Sequence, residues 1–231
     1  MFRFITLVLM CACGAASALP VDLSNAVYNT SAFAEVGADA DGLNADSSPP
    51  RPLPVFSHAE IFGADPSVNE FANADAIADG GFLSVATEVQ SSLQYAGAVA
   101  EASLQSELTL AGSYLLQLDF QDTLDLLGGE AGSALGLALS IGSRTLFDEI
   151  FTDSALIARM FVLAPGELGL LHLSLISTAD SFADGTTDAL YAFNLASVDV
   201  ALTTGVPSPS PLLLIGAALL PVLRLRHARR G

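Results

Sequence analysis

The chain predicts an all-β body, an antiparallel β-sandwich of jelly-roll type, with a flexible N-terminal segment before it and a short C-terminal hydrophobic helix after it. Three observations carry this expectation. Apolar residues recur at every second position in several runs, which places them on one face of a strand. Turn formers separate the runs, at Gly80-Gly81, Ala111-Gly112, Gly128-Gly129, Pro165-Gly166 and Asp184-Gly185. Helical patterns are few, and short strands at such spacing belong to sandwiches and related closed architectures.

In chain order, residues 1–18 read as a secretory signal peptide. Arg3 supplies the positive start, Ile5 to Ala16 the apolar stretch, and Ala16-Ser17-Ala18 the small-residue cleavage pattern, so that cutting after Ala18 leaves Leu19 first. A membrane anchor is the competing reading, but the apolar run falls well short of the ~20 residues that span a bilayer. Residues 19–54 read as a disordered, Pro-rich lead-in. They are dominated by Ala, Asp, Asn and Ser and end in Ser47-Ser48-Pro49-Pro50-Arg51-Pro52-Leu53-Pro54, a stiff extended linker. The domain itself is expected over 55–205.

Within it, Tyr114, Leu116, Leu118 and Phe120 share one face, with Gln117 and Asp119 on the other. Leu135, Leu137, Leu139 and Ile141 alternate with Gly136, Ala138 and Ser140; Leu104, Leu108 and Leu110 alternate with Gln105, Glu107 and Thr109; Leu171, Leu173 and Leu175 alternate with His172 and Ser174. Two stretches break the pattern. Leu146, Phe147, Ile150, Phe151 and Ile157 stand near helical spacing, so residues 145–160 are expected to hold a short helix or an irregular crossing. Tyr191, Phe193 and Leu195 share one face and Val198, Val200 and Leu202 the opposite one, which implies a bulge. About 150 residues patterned this way can bury a core without disulfides.

Charge narrows the function. The chain of 231 residues holds 25 acidic residues against 8 basic ones, and every basic residue is Arg. All the acids fall between Asp22 and Asp199, where only Arg51, Arg144 and Arg159 oppose them, a formal −22. Such a surface repels phosphate backbones and excludes nucleic acid as a partner. Both cysteines, Cys11 and Cys13, lie in the first apolar run, so the body has neither disulfide nor thiolate chemistry.

The segment Asp39-Ala40-Asp41-Gly42-Leu43-Asn44-Ala45-Asp46 offers oxygen ligands at alternate positions, and Asp39, Asp41 and Asp46 are weak calcium candidates. The full hand-loop pattern fails, because Gly37 and Ser48 fall where it requires carboxylates; a solvated linker is the simpler reading. No other cofactor is expected. Of the three histidines, His172 alternates with leucines on a solvent face, His58 opens the domain and His227 belongs to the tail, so no base, nucleophile and orienting group come together and no enzyme is expected. Asp148 and Glu149 are adjacent and would face opposite sides of a strand, which does not suit paired-carboxylate glycoside hydrolysis. Asp122, Asp125, Glu130, Asp180, Asp184 and Asp188 stand near turns as a hydrated rim.

The last segment, 206–231, carries the sharpest signal. Val206-Pro207-Ser208-Pro209-Ser210-Pro211 precedes the apolar stretch Leu212 to Leu223, which Pro221 interrupts, and Arg224, Arg226, Arg229 and Arg230 follow. Twelve apolar residues make a helix of roughly 18 Å against a hydrocarbon core of about 30 Å, so it is a poor permanent span. The arginines hold that end on the cytoplasmic side and place the body outside. A plain tail anchor is the alternative.

This order resembles the PEP-CTERM sorting signal, over about the last 25 residues; Pro207 and Pro209 keep the motif's spacing, and Ser208 stands where its namesake has Glu. The resemblance implies export by the secretion machinery, removal of the signal by a signal peptidase, and removal of the tail by an exosortase-like enzyme at the inner membrane. The product it implies is a protein at the cell surface or outside the cell, in a setting of exopolysaccharide and biofilm. The alternative function is a carbohydrate- or calcium-dependent binding module retained by its C-terminal helix.

Overall fold

A computed structural model describes residues 19–21, 23, 26–37, 42–52, 54–63, 70–183 and 189–205. The signal sequence, Ala16 and Ala18 included, Asp39, Asp41, Asp184, Asp188 and the whole tail from Val206 lie outside the described residues. Thirteen strands and no helix make up the rest: β1 Leu19–Pro20, β2 Val27–Val36, β3 Gly42–Arg51, β4 Val55–Phe62, β5 Phe71–Asp79, β6 Phe82–Ser91, β7 Tyr95–Leu108, β8 Gly112–Leu127, β9 Glu130–Ile141, β10 Arg144–Phe151, β11 Ala155–Leu163, β12 Gly169–Phe182 and β13 Leu190–Thr204.

They form two antiparallel sheets. One runs β11-β8-β13-β6-β5-β4, with β1 added to the end of β13; the other runs β10-β9-β12-β7-β2-β3. The inward rows of both enter one hydrophobic core. Each predicted alternation faces it, through Tyr114 to Phe120, Leu135 to Ile141, Leu104 with Leu108, and Leu171 to Leu175, while His172 is exposed. Leu110 is the exception, lying exposed beyond the end of β7. Gly80 and Gly81, both at positive φ (50° and 93°), make the two-residue turn between β5 and β6, a conformation that glycine adopts without strain.

The lead-in is not disordered over its described part. Residues of 19–54 supply β1, β2 and β3, and β2 is buried at every second residue, through Tyr28, Thr30, Ala32, Ala34 and Val36. Large apolar residues are sparse there because the facing rows are also small: Ala72, Ala74, Ala76 and Ala78 on β5, and Ala96, Ala98, Ala100 and Ala102 on β7. Cα atoms of β5 come within 8 Å of those of both β2 and β7 across the core, so small side chains, alanine foremost, suffice to fill the space between these stretches of the sheets. The proline pair is likewise part of a strand. Register shifts by one residue between Tyr28, opposite Arg51, and Thr30, opposite Ser48, so Pro49 and Pro50 sit at a bulge on an edge strand, where a missing N–H costs no ladder bond.

Residues 145–160 hold no helix either. They form β10 and β11, with an irregularity between Thr145 and Phe147. Their inward rows are Phe147-Glu149-Phe151 and Ile157-Arg159-Phe161, each with a charged residue in the middle, and that interruption disguises the alternation. Finally, β13 carries no bulge: it keeps unbroken register on β6 and β8. Its inward row is Ala192, Asn194, Ala196, Val198 and Leu202, and Tyr191, Phe193 and Leu195 lie on the outer face. The expected phase change came from assuming that the largest side chains point inward.

Candidate functional site

A polar seam crosses the core and ends in a cleft. It begins at Thr87 on β6, whose hydroxyl lies 2.7 Å from that of Ser177 on β12. Ser177 donates to Asn194 Oδ1 on β13 at 2.5 Å, which leaves Thr87 to donate to Ser177. The amide of Asn194 donates in turn to Asp122 Oδ1 on β8 at 2.6 Å, and the Ser133 hydroxyl on β9 donates to the same oxygen at 2.8 Å. Thr87, Ser177 and Asn194 are fully buried, so each depends on its neighbour for its hydrogen bonds. Donors run in one direction along the seam, towards the carboxylate.

The cleft exists because the edge strands stop short. β11 begins at Ala155, opposite Phe120, while β8 continues along β13 to Leu127; β10 ends at Phe151, opposite Leu135, while β9 extends back along β12 to Glu130. The sheets are therefore uncovered beyond these points, and residues 152–154 cross from one to the other. Ser154 Oγ accepts from the Asp122 backbone N–H at 2.8 Å and ties that crossing to the cleft wall. A cavity of about 410 Å³ results, lined by Asp122, Leu124, Ala131, Gly132, Ser133, Ala134, Thr152, Ile176 and Thr178. A positioned carboxylate, three hydroxyls and two branched apolar side chains suit a small ligand with hydroxyl or amine donors on one edge and an apolar face.

A second polar arrangement lies on the outer face of the β7 sheet. Glu130, Asp180, Gly97 and Glu35 stand side by side on four neighbouring strands. The Tyr95 ring passes over Gly97, where there is no room for a Cβ, and its hydroxyl donates to Asp180 Oδ1 at 2.5 Å. Burial first, and then Asp180 and Glu35, push the Tyr95 hydroxyl well above its usual pKa.

The other candidates are scattered. Asp46 Oδ2 accepts from the His58 backbone N–H at 3.2 Å, so it faces β4 from an extended strand. His58 Nδ1 lies 2.7 Å from Asp75 Oδ1 on the exposed outer face, its ring stacked against Phe56. Asp148 and Glu149 take opposite faces, as their adjacency predicts; Glu149 pairs with Arg159 through two hydrogen bonds, and the Arg159 guanidinium lies 5.9 Å from the Phe151 ring. Asp122 does not belong to a hydrated rim, since it anchors the seam. A sequence signal for the seam exists: Ser177 continues the inward phase of Leu171, Leu173 and Leu175, and Asn194 stands between the inward Ala192 and Ala196.

No family model matches the chain, and no curated protein matches it. Solved structures give faint likenesses. An α-xylosidase from Xanthomonas citri is 7% identical with a TM-score of 0.17, over 81% of this chain and 32% of that one, so the chain spans about a third of the xylosidase. An infectious bursal disease virus Gx strain structure is 12% identical with a TM-score of 0.16, over 86% and 68%. The membrane-inserted NetB toxin of Clostridium perfringens is 10% identical with a TM-score of 0.13, over 65% and 78%. At these scores none carries an argument about fold or activity.

Proposed function

We propose that the chain is an exported bacterial surface or matrix component that acts without catalysis, a jelly-roll-like sandwich with a removable address at each end. The observation that carries this reading is the order of the C-terminal sequence: Val206-Pro207-Ser208-Pro209, the short apolar stretch Leu212 to Leu223, then Arg224, Arg226, Arg229 and Arg230. Support comes from where the strands lie. Leu19, the first residue after the proposed cut at Ala18, pairs with Thr204, two residues before the tail. Every described strand falls within 19–205, so loss of both ends removes none of them. In this reading a signal peptidase and an exosortase-like enzyme act on neighbouring points of one body at the inner membrane, and the product joins extracellular polysaccharide at the surface. Mass spectrometry of the mature protein from its own host tests it. The expected product starts at Leu19 and lacks the arginine cluster; a chain still ending at Gly231 overturns the sorting reading.

A second reading is a carbohydrate- or calcium-dependent binding module; the cleft at Asp122, with its hydroxyls and carboxylate, favours the carbohydrate form of it. Calorimetry of residues 19–205 with calcium and a panel of polysaccharides separates the two. Heat that Asp122→Ala abolishes supports the module, and no heat from any of them counts against it.

A further inference from the structure

We propose that the cleft at Asp122 selects a sugar carrying a free, protonated amino group, whose ammonium is held by the Asp122 carboxylate. This assignment rests on the carbohydrate reading of the cleft and adds to it the charge of the sugar.

Asp122 is fixed in place but not neutralised. Asn194 Nδ2 and Ser133 Oγ both donate to its Oδ1, which occupies the two acceptor sites of that oxygen. Among the described residues no hydrogen bond reaches Oδ2, and no arginine or histidine pairs with the carboxylate; the ion pairs there join His58 to Asp75 and Arg159 to Glu149. Because Asp122 lines the cavity, Oδ2 is the acceptor left for a ligand. A carboxylate already held by its neighbours loses little further side-chain freedom on binding. An ammonium supplies both things that are missing, donors and an opposite charge, and its charge-assisted hydrogen bond is about twice as strong as one from a neutral hydroxyl.

The rest of the cleft suits a sugar ring better than a bare cation. Asp122 is the one carboxylate among the described residues that line it, whereas calcium takes about six to eight oxygens and more charge than a single carboxylate provides. Thr152 and Thr178 offer hydroxyls to those of a ring, and Leu124 and Ile176 offer apolar surface to its C–H face. At Gly132 the wall is bare backbone, since a Cβ there would meet nothing within 4 Å. Charge sets the sign of the ligand. Between Asp22 and Asp199, 25 acids stand against three arginines, so uronate and sulfated polymers are repelled and a cationic one is attracted.

Calorimetry on residues 19–205, which contain every described strand, tests this with three β-1,4-linked tetrasaccharides, of glucosamine, N-acetylglucosamine and glucose, beside tetralysine and calcium chloride, in a buffer acidic enough to keep the amines protonated. The glucosamine tetramer is expected to bind about tenfold or more tightly than the other two sugars. Asp122→Asn, which keeps Oδ1 and removes the charge, is expected to abolish that preference, and Gly132→Leu, which fills the cleft without removing a hydrogen bond, to weaken binding about tenfold. Asp199→Asn, which removes the same charge from the exposed outer face, is expected to change nothing. If Asp122→Asn fails to fold, Gly132→Leu decides. Equal binding of the three sugars overturns the amino-sugar assignment and leaves the carbohydrate reading standing, whereas silence from all three overturns both. Tetralysine or calcium binding as tightly as the amino sugar, or amino-sugar binding that Asp122→Asn and Asp199→Asn weaken equally, overturns the assignment as general attraction to an acidic body.

Discussion

The two halves of the core reach the same burial with opposite side chains. Over β8, β9, β11 and β12 it is built from Leu, Phe and Tyr; Tyr114 and Phe161 stack at 5.0 Å between ring centroids, and Phe147 meets Phe161 edge-on from the other sheet. Over β5, the Ala96 to Ala102 stretch of β7 and the Ala32-Ala34 stretch of β2 it is built from alanine, with the sheets drawn together until Cα atoms face each other within 8 Å. Alanine is a poor strand former by propensity, so those strands owe their conformation to sheet pairing on both sides and to close approach. The leucine half has volume to lose, and the alanine half has none to spare. The polar seam from Thr87 to Asp122 runs between them and opens to solvent on the leucine side.

The sharpest way to break this contrast is to exchange the two kinds of side chain. Leu137→Ala, at a fully buried position on β9, is expected to cost about 2–5 kcal/mol in urea denaturation, the transfer energy plus the cavity left behind. Ala74→Leu, fully buried on β5, is expected to destabilise by about 1–3 kcal/mol although it adds apolar surface, because the sheets must be forced apart. A stabilising Ala74→Leu would show that the alanine half is loosely packed and that its closeness is incidental.

Removing the seam is next in size. Asn194→Ala leaves the Ser177 hydroxyl without its acceptor and Asp122 without one donor, at a cost of about 1–3 kcal/mol. Asn194→Asp is expected to be no better, since it sets a second carboxylate beside Asp122. Rescue by Asp would show that the amide donor does not hold the Asp122 carboxylate.

The smallest effect is confined to alkaline solution. Tyr95 has an ordinary pKa of 10.0 that burial, Asp180 and Glu35 raise in the folded state. Its contribution is therefore present in full below pH 10 and is lost as pH rises above that value towards the folded pKa. Stability measured from pH 8 upward should fall beyond about pH 10, and the fall should be shallower in Tyr95→Phe. Equal slopes in the two proteins would remove Tyr95 from the account.

Much of the leucine half was legible in advance, because large apolar side chains at every second residue have only one economical arrangement. The alanine half was not. Residues 19–54 look like linker when judged by hydrophobic mass, although Tyr28, Thr30, Ala32, Ala34 and Val36 keep strict alternation. Charged Glu149 and Arg159 concealed two further strands, since an inward charge reads as an outward one until its partner is known. The cleft was illegible for another reason: Asp122, Ser133, Ser177 and Asn194 come from four separate strands, and nothing local to any of them announces the others.

Period-two patterning alone determined that the body is made of strands, because successive side chains of an extended backbone point to opposite faces whatever lies nearby. The composition of the chain also settled the acidity of the body and the absence of cysteine beyond residue 13. Only the tertiary structure decided which small residues count as core, where the edge strands end and which carboxylate closes the seam. Burial depends on the distance between two sheets, and that distance is set jointly by side chains far apart in the chain.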